Sequence, residues 1–194
     1  IYKQAFGNDR VFRVVMNISA SPKEAGSVFY KSGGTIIFEK GHSLAQLLHQ
    51  SFLTVKVDSR ISENIDWEIW NKAVWNASFN TVTALSRLTT SPILQDPDGL
   101  KLIRSLGKEV CKLAASYSIH LPEELIEQKI DFTLNKLGDI TSSTREDVLQ
   151  EKPIEYEAVI GDLIDIARER KIEVPYLETV FTLLKLLDKS FKNN

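Results

Sequence analysis

The spacing of apolar positions changes character near residue 60. Before it, short β-branched runs alternate with turn residues. Val11–Met16 predicts a strand. Ser27–Tyr30 and Thr35–Phe38, separated by Lys31-Ser32-Gly33-Gly34, predict a hairpin with a glycine-containing turn. Ser43–Phe52 has a short amphipathic helical pattern, Thr54–Val57 predicts another strand, and polar Asp58–Asn64 predicts a loop. From Ile65 onward every long segment has helical period. The expected helices cover Trp67–Leu88, Pro97–Tyr117, Pro122–Leu137, a short piece from Ser143, Pro153–Arg170 and Pro175–Phe191. In the second, Leu102, Leu106, Val110 and Leu113 share a face. The third has Pro122, Glu123 and Glu124 in its first turn and Gly138 after its end. The expected class is mainly α, with an all-helical domain at residues 61–194 after an α/β segment at residues 1–60.

One helix breaks the usual pattern. From Ala73 to Ser86 there is no charged residue. A solvated face normally carries Lys, Glu or Arg, so this helix is expected to be buried on most sides. Its polar positions Lys72, Asn76 and Asn80 are four residues apart. Each step of four turns about 40° past a full circle, so the three line one shallow stripe. Buried amides need partners. A cation and two amides facing one space suit a small, oxygen-rich molecule. The competing reading is a snorkelling lysine and two interhelical hydrogen bonds that fix packing.

Composition narrows the function classes. The 194 residues are 43% hydrophobic and 26% charged, an ordinary globular balance. A net charge of −2 gives no electrostatic case for nucleic acid or an anionic membrane. One cysteine, Cys111, excludes an internal disulfide framework and fits a reducing cytoplasm. No apolar run is long enough to span a bilayer. His42, His49 and His120 lack ligand spacing, so no metal is expected. The chain opens at Ile1 without methionine or a signal peptide pattern, which reads as a piece of a longer protein.

Three segments carry a family resemblance. Trp70-Asn71-Lys72-Ala73-Val74-Trp75-Asn76-Ala77-Ser78-Phe79-Asn80 resembles the catalytic helix of the ketopantoate reductase (2-dehydropantoate 2-reductase) family, Trp-x-Lys-x-x-x-Asn-x-x-x-Asn. Thr141-Ser142-Ser143-Thr144-Arg145-Glu146-Asp147 resembles its Ser-Ser-x-x-x-Asp motif. Pro153-Ile154-Glu155-Tyr156-Glu157-Ala158-Val159-Ile160-Gly161 resembles its Glu-Ile-Asp-x-(Ile/Leu)-x-Gly motif, and all three follow the family's order and spacing. Thr144 stands where the family usually has Met, and Tyr156 where it often has Ile. No Gly-x-Gly-x-x-Gly occurs, although a reductase of this family begins with one to bind the cofactor pyrophosphate. The resemblance therefore implies a C-terminal portion: the end of a Rossmann-type NADP-binding domain, then a helical domain like the C-terminal domain of 6-phosphogluconate dehydrogenase.

The implied reaction is NADPH-dependent reduction of a 2-oxo acid, foremost ketopantoate to pantoate in pantothenate and CoA biosynthesis. The resemblance makes Lys72 the general acid, gives Asn76, Asn80 and Ser143 to the substrate, and gives Glu155 to the cofactor ribose or the Lys72 network. Ser143 also reads as the N-cap of a capping box with Glu146, and a free helix N-terminus attracts a carboxylate. Glu155 also suits a helix start on electrostatic grounds alone. Asp147 is assigned no chemistry. The alternatives are a non-catalytic helical dimerisation module and a reductase of another branched 2-oxo acid; a homodimer is compatible with either. The chain alone is expected to bind NADPH poorly and to be inactive.

Overall fold

A computed structural model of the chain describes residues 2–7 and 10–192, which fall into two compact units, Ile1–Ile69 and Trp70–Asn194. In the first unit, helix α1 (Tyr2–Phe6) precedes a long hairpin of β1 (Val14–Glu24) and β2 (Ser27–Glu39). The turn is Ala25-Gly26, between the paired Glu24 and Ser27, with Gly26 at φ +79°. The expected turn at Gly33-Gly34 lies instead within β2. There the register shifts by a bulge, and Gly33 at φ +87° faces Asn17 so closely that a Cβ would sit 2.0 Å from its carbonyl oxygen. The glycines serve a close backbone approach, which local composition alone does not separate from a turn.

Helix α2 (Ser43–Thr54) is longer than its apolar pattern predicts and takes in Thr54. Thr54 Oγ1 donates to the Ser51 carbonyl at 2.7 Å, and Lys56 at φ +59° turns the chain out of the helix. No strand therefore forms at Thr54–Val57. The third strand is β3 (Ser59–Ser62), inside the segment read as a polar loop, and it pairs parallel with β2. Its two serines are buried because each hydroxyl is bonded: Ser59 Oγ lies 2.9 Å from His49 Nδ1, and Ser62 Oγ donates to Glu68 at 3.2 Å. The sheet order is β1-β2-β3. Ile36 and Phe38 pack with Ala45, Phe12 and Phe52, while Ile37, on the alternate face, packs with Val15 and Ile65.

The second unit is helical. Helix α3 (Ile65–Trp75) enters it and continues through a π-helical turn, π1 (Asn76–Asn80), into α4 (Thr81–Ser86). A short α5 (Thr90–Gln95), not foreseen, leads to α6 (Pro97–Ala115). Asp96 caps α6 by accepting from the Gly99 N–H at 2.8 Å, and Pro97 opens it. Next come α7 (Leu125–Phe132) running into π2 (Thr133–Leu137), α8 (Ser143–Leu149), π3 (Glu157–Gly161) running into α9 (Asp162–Arg170), and α10 (Pro175–Phe191). Pro122–Glu124 form a turn before α7, not its first turn, with Leu125 N–H donating to the Pro122 carbonyl at 3.0 Å.

One apolar cluster unites these helices. Val74, Ile103, Leu106, Val110, Leu113, Leu177 and Leu184 are fully buried in it. Each such side chain stabilises the fold by about 1.5–3 kcal/mol. Gly107 lets α7 approach α6, since a Cβ there would meet Ile126 Cδ1 at 2.7 Å. Buried charge is satisfied by helix ends: Glu109 accepts from the Tyr176 and Leu177 N–H groups at 3.0 and 2.8 Å, which caps α10. Asp188 accepts from Ile154 N–H at 2.8 Å and pairs with Lys192 at 2.7 Å.

Candidate functional site

The polar ladder lies on α3 and π1. Lys72 is half-buried, and burial pushes its amine below the ordinary lysine value. One turn later the backbone switches to i→i+5 bonding, which widens the helix at Asn76–Asn80. A shift of this kind leaves carbonyls short of their i+4 donors. Hydroxyls supply them: Ser78 donates to the Val74 carbonyl at 2.5 Å, Thr81 to Ala77 at 2.6 Å and Thr83 to Phe79 at 2.8 Å. Trp75 stacks on buried Phe79 with ring centres 4.3 Å apart, at a spacing of four residues. The absence of charge in this stretch thus reflects burial, as expected, while the even 3.6-residue stripe is interrupted by a π-turn that apolar periodicity does not encode.

Asn76 and Asn80 meet across that turn. Asn80 Nδ2 donates to Asn76 Oδ1 at 3.2 Å. Both residues are half-buried, and their mutual bond uses one hydrogen of Asn80 and the oxygen of Asn76. The pair therefore presents a donor end and an acceptor end. The neighbouring Asn71 Oδ1 is buried without a partner.

Both other motif segments pack on π1: α8, which Ser143 opens, and π3, which follows Glu155. Ser143 is exposed in the first helical position of α8. The N-cap is Ser142, whose hydroxyl accepts from the Arg145 N–H at 3.0 Å. The capping box expected at Ser143 and Glu146 is thus displaced by one residue, and Glu146 instead accepts from Thr141 Oγ1 at 2.9 Å. The Ser143 hydroxyl is not consumed by capping.

Glu155 is exposed and precedes the helix expected to start at Pro153. The Ile154 N–H is engaged by Asp188, and the helical pattern begins with Val159 N–H donating to the Glu155 carbonyl at 3.0 Å. Burial pushes the half-buried Asp147 carboxyl up, and the charges of Glu155 and Glu146 add to that rise while Lys152 opposes it, which places Asp147 in the field of Glu155.

Concavities elsewhere do not include the ladder. A shallow one of about 490 Å³ is lined by Arg168, Lys171, Glu173, Val174, Pro175 and Glu178, among others. Among the described residues no group of three or more His, Cys, Asp or Glu could hold a metal ion, and no helix is long and apolar enough to cross a membrane. A carboxylate such as Glu155 offers only acceptors, which suits ribose hydroxyls and not a pyrophosphate.

Sequence reasoning missed Ser142, Thr83, Glu109 and Asp188 as organisers of this region. Asp188 was accessible to it. Leu177, Leu184 and Asp188 fall on the one buried stripe of α10, so a carboxylate at that position must find a donor.

Comparison with known proteins places the helical domain in a family. The family described as "Ketopantoate reductase PanE/ApbA C terminal" matches residues 64–188. A 2-dehydropantoate 2-reductase from Nostoc sp. is 26% identical over 143 residues, covering 74% of this chain and 44% of the relative. The structure of 2-dehydropantoate 2-reductase from Methylococcus capsulatus superposes with a TM-score of 0.89 at 27% identity, covering 99% of this chain and 67% of that one. A ternary structure of D-mandelate dehydrogenase with NADH and anilino(oxo)acetate shares the fold, with a TM-score of 0.83 at 19% identity, covering 92% of this chain and 61% of that one. The chain spans about half the length of the curated relatives it matches.

Proposed function

The chain belongs to the ketopantoate reductase family through its helical domain, and from that premise we propose that it forms the substrate-holding half of an NADPH-dependent 2-oxo acid reductase whose preferred substrate is 2-dehydropantoate, in the cytoplasm. The observation that carries the reading is the amide pair Asn76–Asn80, bonded to each other at 3.2 Å one turn from a half-buried lysine. Residues 1–60 are read as the end of the nucleotide-binding domain and residues 61–194 as the catalytic domain.

A bound nicotinamide cofactor supplies the hydride. This chain contributes Glu155, whose carboxylate suits the cofactor ribose, while the pyrophosphate cradle belongs to a segment that this sequence does not contain. As negative charge develops on the ketone oxygen, the Lys72 ammonium stabilises it and delivers a proton. Burial lowers the amine's pKa, so proton release near neutral pH costs less than from an exposed lysine. The Asn76 NH₂ donates to a substrate oxygen, and Asn80 Oδ1 accepts from a substrate hydroxyl. The Ser143 hydroxyl donates to the carboxylate. Thr144 and Tyr156, which depart from the family's usual residues, bear on which branched 2-oxo acid is preferred.

Lys72→Ala in the complete protein that carries this chain tests the reading. The expected result is a fall in kcat of about 10²–10⁴-fold with 2-dehydropantoate, with unchanged thermal stability and cofactor affinity. Turnover within a few-fold of wild type would leave a non-catalytic helical module, or a homodimer contact, as the better account. A panel of branched 2-oxo acids followed by NADPH and NADH absorbance ranks substrate and cofactor.

A further inference from the structure

Two hydroxyls that no motif singles out join the ladder to the Ser143 segment. Thr83 and Ser142 are 59 positions apart, and their Oγ atoms lie 2.7 Å from each other. The hydrogens can be placed from the surrounding bonds. Ser142 Oγ already accepts from the Arg145 N–H at 3.0 Å, so its own hydrogen is available to Thr83. Thr83 Oγ1 in turn donates to the Phe79 carbonyl at 2.8 Å, with the Asn80 carbonyl at 3.1 Å. The result is one directed chain, from the first turn of α8 through Ser142 and Thr83 to the backbone of π1, with each hydroxyl donating once. Thr83 is 1% exposed, so water cannot readily replace a lost bond. Asn80 is three residues before Thr83 and Ser143 is one after Ser142, so this chain spans the interval between two groups assigned to the substrate.

We propose that the Thr83–Ser142 hydroxyl pair sets the distance between the Asn76–Asn80 amides and the Ser143 hydroxyl, and so sets how tightly the 2-oxo acid is held. The inference rests on the reading of these groups as the substrate site. Thr83 and Ser142 are positioning residues that touch no substrate themselves. Arg145 Nε also donates to the Arg87 carbonyl at 2.9 Å, but that bond is exposed and lies at the far end of α4, whereas the buried, directed hydroxyl pair fixes one separation next to π1.

Three variants of the complete protein test this. Thr83→Val keeps the shape and removes the acceptor for Ser142. Ser142→Gly keeps a favoured N-cap residue type but has no hydroxyl to pair with Thr83. Thr83→Ser retains the hydroxyl. The first two are expected to raise KM for the 2-oxo acid about tenfold, with KM for the nicotinamide cofactor and kcat within twofold of wild type. Thr83→Ser is expected to stay within twofold in all three. If Thr83→Val does not fold, Ser142→Gly alone decides. An unchanged oxo-acid KM in the folded variant, or equal rises in both KM values, overturns the positioning role. A wild-type protein that reduces no 2-oxo acid overturns instead the functional reading beneath it.

Discussion

Asp188 offers a quantitative check on how the Glu155 segment is held. It is 3% exposed, accepts from the Ile154 N–H at 2.8 Å and receives Lys192 Nζ at 2.7 Å. Replacing it with alanine leaves the buried Ile154 N–H without a partner, at a cost of about 1–3 kcal/mol. Asp188→Asn keeps an oxygen for that N–H and loses only an ion pair with an exposed lysine, worth about 0–1 kcal/mol. In a chain of this size each kcal/mol shifts Tm by roughly 2–4 °C. Asp188→Ala is therefore expected to lower Tm by about 4–8 °C, near the middle of that range of costs, and Asp188→Asn by less than half as much. The hydrogen bonds from Lys192 and the Ile154 N–H, together with the lysine's charge, hold the carboxyl below the usual aspartate range against a smaller effect of burial. A depressed folded pKa means that its stabilisation is present above the unfolded value of 3.8 and is lost as pH falls through the lower folded value. Calorimetric melts at pH 7 and on descending from pH 5 should show the gap between wild type and Asp188→Ala narrowing at the acid end. The reasoning fails if Asp188→Asn is as damaging as Asp188→Ala at pH 7, or if the gap does not depend on pH.

Other consequences can be measured in the same chain. Gly33→Ala places a Cβ 2.0 Å from the Asn17 carbonyl at φ +87°, and proteolysis of the hairpin is expected to accelerate more than tenfold. Gly107→Ala gains about 1 kcal/mol of helix propensity but crowds Ile126, for a net loss of about 0–2 kcal/mol by denaturant titration. Burial pushes the Lys129 amine down to about 8, against a weaker opposing effect of Cys111. The folded state then holds fewer protons than the unfolded one between about 8 and the ordinary lysine value of 10.5, and stability should rise with pH across that window. Lys129→Met should accordingly raise Tm by a few degrees at pH 7 and lose that advantage near pH 10.5, as read by thermal melts.

Long-range consequences of burial were legible in the sequence where periodicity was strong. Pro175–Phe191 is a helix over those residues, and the charge-free stretch after Lys72 is buried. The three motif segments also lie on elements that meet at π1. What the sequence concealed depends on single tertiary bonds. Ser59 and Ser62 read as loop because their burial rests on His49 and Glu68, not on their own polarity. Of two adjacent serines, Ser142 caps α8 because its hydroxyl can face both Arg145 and Thr83, a contact 59 positions away. The three π-turns insert an extra residue into a helical ladder without altering which residue types are apolar, so no period of 3.6 reveals them.

The site stands or falls on where a 2-oxo acid sits. A crystal structure of the complete protein with NADP⁺ and pantoate measures it directly. The account predicts the pantoate C2 oxygen within about 3 Å of Lys72 Nζ, with Asn76, Asn80 and Ser143 around the same molecule and Glu155 toward the cofactor ribose. Pantoate bound away from α3 and π1, or Lys72 turned from it into solvent, would contradict the claim.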